Sequence, residues 1–249
     1  MAEQPLQPDA RVEDLDLSMR RVHGANLEGA KFTETYLEGA DISGDIAGLL
    51  INGVEVEPLI RAELDRREPR RLALRSTEIE GLRQAWSMLE GVWQAATERV
   101  ARLPEDIQLI RVDGEWSFVE TLRHLVFATD CWLLRAVRLE SRPYHPWGLP
   151  WSGVGQQSAE AVGLDTSAAP GLELILPVRL ERQGLVRSTL ETLTDADLLE
   201  VRTAPDEPGH PSGEHSVLQC LHVLMNEEWE HHRYAVRDLD QLEAGTVST

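Results

Sequence analysis

The sequence predicts a mainly α protein: a four-helix bundle preceded by a small β-rich cap and a hairpin. Three observations predict it. The chain beyond residue 74 holds four stretches of about 25 residues with apolar side chains at spacings of three and four. The first fifty residues repeat with a period of five. Between these parts, Asn52-Gly53 separates two short apolar runs, a strong two-residue turn signal.

The cap comes first. Val12, Leu17, Val22, Leu27, Phe32, Leu37 and Ile42 recur every five residues. Neither a helix nor a strand has that period. Ala25, Ala30, Thr35 and Ala40 are small, and Gly29, Gly39 and Gly44 follow their centres by two. A chain coiling squarely, with the large residues stacked inside and glycines at the corners, fits this pattern. The block Ala25-Asn26-Leu27-Glu28-Gly29 and its successors resemble pentapeptide-repeat proteins, which implies a quadrilateral β-helix. So short a coil cannot bury its own core, and the expectation is an appendage packed on another domain. A full coil of this kind can mimic DNA shape; a plain structural cap is the simpler reading.

Leu49-Leu50-Ile51 and Val54-Glu55-Val56 form the hairpin arms, so the expected cap and hairpin span residues 1–56. Pro58 opens a short helix over Leu59 to Arg67, and the four arginines of Arg66 to Arg71 read as a solvated linker. Residues 57–73 are therefore a short helix and linker, and 74–244 the bundle.

The helices follow in order. Helix A is expected over Ser76 to Leu103, with Ile79, Leu82, Trp86, Leu89, Val92 or Trp93, Ala96 and Val100 on one face. Helix B runs over Glu115 to Leu139, with Phe118, Leu122, Leu125, Trp132, Leu133 and Ala136. Helix C runs over Gly171 to Leu193, with Leu172, Ile175, Leu176, Leu180, Leu185 and Leu190; Pro177 bends it or delays its start. Helix D runs over Glu214 to Leu242, with Leu218, Leu221, Leu224 or Met225, Ala235, Leu239 and Leu242. The B–C connection is long and rich in proline and glycine, which suits a lid over a site or a crossover that lets B and C run parallel.

Composition narrows the function. With 24 basic and 43 acidic residues the chain carries −19, so neither nucleic acid nor an anionic membrane surface is an expected partner. No apolar run reaches the roughly 18 residues of a spanning helix, and Met1 to Pro8 has no secretory pattern. Cys131 and Cys220 give no disulfide framework, fit a cytoplasmic setting and read as buried structural residues. Trp86, Trp93, Trp132 and Trp229 read as core, and His210, His215 and His222 show no ligand spacing.

Chemistry concentrates at His124 on helix B and at Glu227, Glu228, His231 and His232 on helix D. Metal sites inside bundles use inward Glu and His at spacings of three or four. Glu228 and His232 fall within helix D's apolar stripe, whereas Glu227 lies roughly 110° and His231 roughly 70° from its centre. A glutamate in an apolar stripe is costly unless paired or metal-bound. His124, Glu228 and His232 are therefore the preferred ligands, with Glu227 and His231 as the alternative register. Two His and one carboxylate suit Zn²⁺, Ni²⁺, Mn²⁺ or Fe²⁺. The metal-free reading pairs Glu228 with Arg233 or Arg237 and leaves His124 a groove histidine.

The segment Trp116-Ser117-Phe118-Val119-Glu120-Thr121-Leu122-Arg123-His124-Leu125 resembles the His-Leu motif on the second helix of the DinB/YfiT-like superfamily. Glu228 to Arg233 resembles its last-helix His-x-x-x-His-Arg motif. The resemblance covers roughly Leu74 to Leu242 and implies a four-helix bundle with three histidines on a divalent metal. By position His124 matches the first ligand and His232 the third, while Glu228 stands where the family has its second histidine. The resemblance further implies thiol-dependent transfer or isomerisation with bacillithiol, mycothiol or glutathione as low-molecular-weight thiol. A small electrophile is then the substrate, Tyr144, His145, Trp147 and Trp151 belong to the loop over it, and Arg123 and Arg233 are the candidates to contact the carboxylate of the thiol. The competing reading is a non-catalytic bundle with a vestigial metal site, mediating protein contacts or forming a homodimer.

Overall fold

A computed structural model describes residues 15–20, 22, 24–151 and 153–246. The chain divides into two compact units between Gly44 and Asp45.

In the first unit the five-residue period reappears in the backbone. Positive φ recurs at Met19, Gly24, Gly29, Glu34, Gly39 and Gly44. Tight turns close where the amides of Arg20, Ala30 and Ala40 donate to the carbonyls of Leu17, Leu27 and Leu37. Gly29 and Gly39, at φ +71 and +72, supply the left-handed turn residue that a side chain would strain. Two expectations are corrected here. No strand forms among the described residues before Leu50. The repeat centres from Leu17 to Ile42 are not enclosed but 49–63% exposed. Val12 lies outside the described residues.

The second unit opens with the expected hairpin, β1 (Leu50–Ile51) against β2 (Val54–Glu55), antiparallel with Ile51 opposite Val54. Asn52 and Gly53 both take positive φ, as a turn matched to strand twist requires. Helix α1 (Glu57–Arg67) follows, with Pro58 in its first turn. Of the four arginines expected in a solvated linker, Arg66, Arg67 and Arg70 are exposed and only Arg71 is buried. A 3-10 turn over Pro69–Arg75 buries Leu74 and Arg71, whose guanidinium bonds Asp65 and, on the last helix, Glu230 at 2.8 Å.

Helix α2 (Ile79–Val100) buries the predicted face. After a single turn, α3 (Glu105–Gln108), comes α4 (Phe118–Thr129), started by a reciprocal capping box between Ser117 and Glu120. It continues as a π-helical segment, Asp130–Arg135. A loop carrying the short α5 (Gln156–Ala161) leads to α6 (Leu172–Thr192), which starts before Pro177 and runs through it. The turn α7 (Asp195–Leu198) and the strand pair β3 (Val201–Thr203) and β4 (Glu214–Ser216) precede α8 (Val217–Thr246). Helix D thus starts three residues later than its predicted Glu214.

Helices α2, α8, α4 and α6 close a ring, each packed on the next. Their directions follow from named contacts. Ser76 meets His222 and Arg99 meets Glu243, so α2 and α8 are parallel. Arg187 meets Glu90 while Arg179 lies over Trp93, so α6 opposes α2. Arg237 meets Glu115 while His124 meets Glu227, so α4 opposes α8. Helices α4 and α6 therefore run parallel, the arrangement the long B–C crossover allows.

Helix C's buried stripe is corrected in one respect. Leu180 is 56% exposed, and Arg179 and Arg182 face inward instead. The reason is electrostatic: α8 and the π segment each bury a carboxylate, Glu228 and Asp130, and each is met by one of these arginines. A buried charge needs such a partner.

Candidate metal centre

The site sits where α4 meets α8, beneath the loop between α4 and α5. The capping box starts α4 so that His124 falls on its buried face. The Nδ1–H of His124 donates to the Leu149 carbonyl at 2.9 Å, which leaves Nε2 turned toward α8. Nε2 stands 3.3 Å from Glu227 Oε2. One helical turn on, His231 Nε2 stands 3.2 Å from the same oxygen. One ligand atom from each of His124, Glu227 and His231 lies within 4.8 Å of the others.

The two separations from Glu227 Oε2 fit a cation. Donors around a tetrahedral ion at about 2.0–2.1 Å stand roughly 3.3–3.4 Å apart. The donor set, two imidazoles and a carboxylate, suits Zn²⁺, Ni²⁺, Mn²⁺ or Fe²⁺. Burial works to raise the Glu227 carboxyl, but the hydrogen bonds and charges of His124 and His231 outweigh it and hold it at about 2. It is the ionised form that can ligate.

The preferred register is thus displaced by one residue. The structure brings together His124 with Glu227 and His231, the alternative pair, and does not bring Glu228 or His232 to them. Glu228 is fully buried and turned toward Arg179. Burial pushes its carboxyl above the usual range despite that partner. Nor does it pair with Arg233, which bonds Glu230, or Arg237, which bonds Asp238 and Glu115. His232 stands edge-on to Trp93 with ring centroids 5.4 Å apart, and burial pulls its imidazole below the ordinary range.

The loop is already seated on α4. Asp130 Oδ2 accepts the His145 amide at 2.8 Å, Arg123 Nε donates to the Trp147 carbonyl at 2.9 Å, and Leu149 takes His124. Tyr144 is buried, its hydroxyl donating to the carbonyl and accepting the amide of His210. His145 Nδ1 accepts the Trp147 amide. Trp147 packs against the core near Phe118, and Trp151 lines a cavity beside the site. Arg233, tied to Glu230, is not brought to the site.

Sequence reasoning missed Trp116. Its ring lies 4.6 Å from that of His124 and stacks on His231 at 5.8 Å with planes 24° apart. Its only signal was its place just before the Ser117-x-x-Glu120 cap. The Leu149 carbonyl and Arg179 left no local signal. Both cysteines are buried, and burial raises their thiols, Cys220 to about 11.

Comparison with known families decides the relationship. The family model described as the DinB superfamily matches residues 88–235, more than half of the chain. The chain belongs to the DinB superfamily. The match takes in α4, the loop and the part of α8 that carries Glu227 and His231. A crystal structure of a protein from Streptococcus pneumoniae is similar at 18% identity and a TM-score of 0.46, covering 66% of this chain and 91% of that one. No curated protein matches the chain. Among the described residues no helix is long and apolar enough to cross a membrane.

Proposed function

We propose that this DinB-superfamily chain is a metal-dependent enzyme acting on small electrophiles, with His124, Glu227 and His231 as the metal ligands. The observation that carries the reading is the convergence of three ligand atoms within 4.8 Å from two helices of the bundle. A divalent transition metal there would supply Lewis acidity, lowering the pKa of a thiol or water placed beside it.

The chain's own groups prepare that chemistry. The Leu149 carbonyl fixes the tautomer of His124 and aims Nε2. The spacing of four residues puts Glu227 and His231 on one face of α8. The Trp116 ring packs against both imidazoles. Cys131 and Cys220 are buried with raised thiols, so a thiol nucleophile would come from a small cosubstrate. Thiol transfer or isomerisation with bacillithiol, mycothiol or glutathione is the reaction class that the family resemblance favours.

The test is thiol consumption with 1-chloro-2,4-dinitrobenzene, using Zn²⁺-, Mn²⁺- and Ni²⁺-loaded protein and each thiol in turn. The expected result is a rate above background with at least one metal and thiol, lost in His231→Ala. A metal-loaded protein that accelerates no thiol reaction contradicts the thiol assignment. A chain that binds no metal leaves the non-catalytic scaffold.

A further inference from the structure

Arg123 follows a rule the other buried arginines do not. Arg71, Arg179 and Arg182 each meet a carboxylate, and Arg135 is surrounded by the carbonyls of Pro205, Glu207, Pro211 and Ser141. Arg123 is only 6% exposed, yet its one side-chain bond is from Nε to the Trp147 carbonyl. Among the described residues no carboxylate lies within ion-pair distance of it, and Glu120 and Asp165 act on it only through longer-range charge. Its terminal nitrogens bond no described residue and are not sealed from solvent, so they are open to a ligand.

Beside it is a cavity of ≈ 280 Å³. Arg123 lines it together with Trp116, Leu149, Trp151, Val154 and Leu164, and no described acidic residue does. Gln156 and Thr166 add polar atoms to this open, mostly apolar cleft; apolar walls with a few placed polar groups and one charge are the ordinary make-up of a small-molecule site, and its size lies just below the roughly 300–1,000 Å³ range. Trp116 and Leu149 are shared walls: one stacks on the candidate ligands, the other orients His124.

We propose that this cavity binds a small aryl carboxylate, its carboxylate paired with the terminal nitrogens of Arg123 and its ring against the indoles of Trp116 and Trp151. Guanidinium and carboxylate match as a planar fork, and aromatic walls accept a ring face-on or edge-on. The assignment of this acid as substrate rests on the metal-enzyme reading; its binding does not.

The test is fluorine NMR on the full chain, stripped of metal with chelator, titrated with 4-fluorophenylacetate and separately with 4-fluorophenylacetamide. The acid is expected to bind saturably at one site, at least tenfold more tightly than the amide. Arg123→Gln should weaken the acid at least tenfold and leave the amide unchanged. Val154→Trp, on the loop and away from the arginine, should fill the cavity and abolish binding of both. The proposal is overturned if acid and amide bind alike, if neither binds, or if Arg123→Gln binds the acid undiminished. Should Arg123→Gln fail to fold, undiminished acid binding by Val154→Trp overturns it equally. Because the protein is metal-free, a negative result counts against the cavity and not the metal triad.

Discussion

The Nδ1–H of His124 is held by the backbone carbonyl of Leu149 at 2.9 Å, so a residue of the α4–α5 loop decides which way a candidate ligand points. Outer partners of this kind typically change metal affinity by about 10–100-fold. Trp116 restrains the same imidazole and that of His231 by ring contact. Trp116→Ala is expected to lower metal affinity by about tenfold in chelator competition, with the metal still bound at saturation. Unchanged affinity would show that the indole has no part in holding the rings.

Removing Arg179 would leave Glu228 alone in the bundle interior. Breaking a buried pair from one side costs about 3–5 kcal/mol. Arg179→Ala should therefore lose about that much stability in urea unfolding, while its folded fraction still binds metal. Loss of metal without loss of stability would place Glu228 in the metal site after all.

Asp130 offers a pH test. Burial raises its carboxyl to about 6 against the attraction of Arg182. With the folded value above the unfolded 3.8, the folded state holds the proton more tightly between those two values. Stability owed to this group is thus complete below pH 3.8 and falls as pH rises through 6, by about 3 kcal/mol at 1.36 kcal/mol per unit. The difference in unfolding free energy between wild type and Asp130→Asn should shrink by that amount from pH 3.8 to 6.5 and stay level above. A flat difference would show that the carboxyl titrates normally.

The capping box sets where α4 begins and hence where His124 falls. Ser117→Ala removes the acceptor of the Glu120 amide and should cost about 1 kcal/mol. Thermal unfolding measures it; no change would mean that the helix start is fixed by packing of Phe118 and Val119.

Much of this was legible in the sequence. Three-and-four spacing found the buried face of α2: Ile79, Leu82, Trp86, Leu89, Trp93, Ala96 and Val100 pack inward, and of the pair Val92 and Trp93 it is the tryptophan that is buried. The Asn52-Gly53 turn was legible because few dipeptides accept two positive φ values. The candidate site was legible only in part. The stripe of α8 rightly placed Glu228 inside the bundle, but a buried glutamate can be neutralised by a metal or an arginine, and the arginine came from α6. The leucine spacing of that helix does not mark Arg179 and Arg182, which are buried on its inner face. The cluster lies instead on the flank of α8 that meets α4, which is why Glu227 and His231 fall off the stripe's centre. No periodicity marks Leu149, whose part is played by its backbone. The five-residue repeat did show in the turns, but its large side chains remain mostly outside.

The most direct measurement is elemental analysis of protein purified without a histidine tag or chelator, comparing wild type with His231→Ala and His232→Ala. About one divalent transition metal per chain is expected in the wild type and in His232→Ala, and almost none in His231→Ala. A metal-free wild type, or metal kept by His231→Ala and lost by His232→Ala, would contradict the assignment of His124, Glu227 and His231.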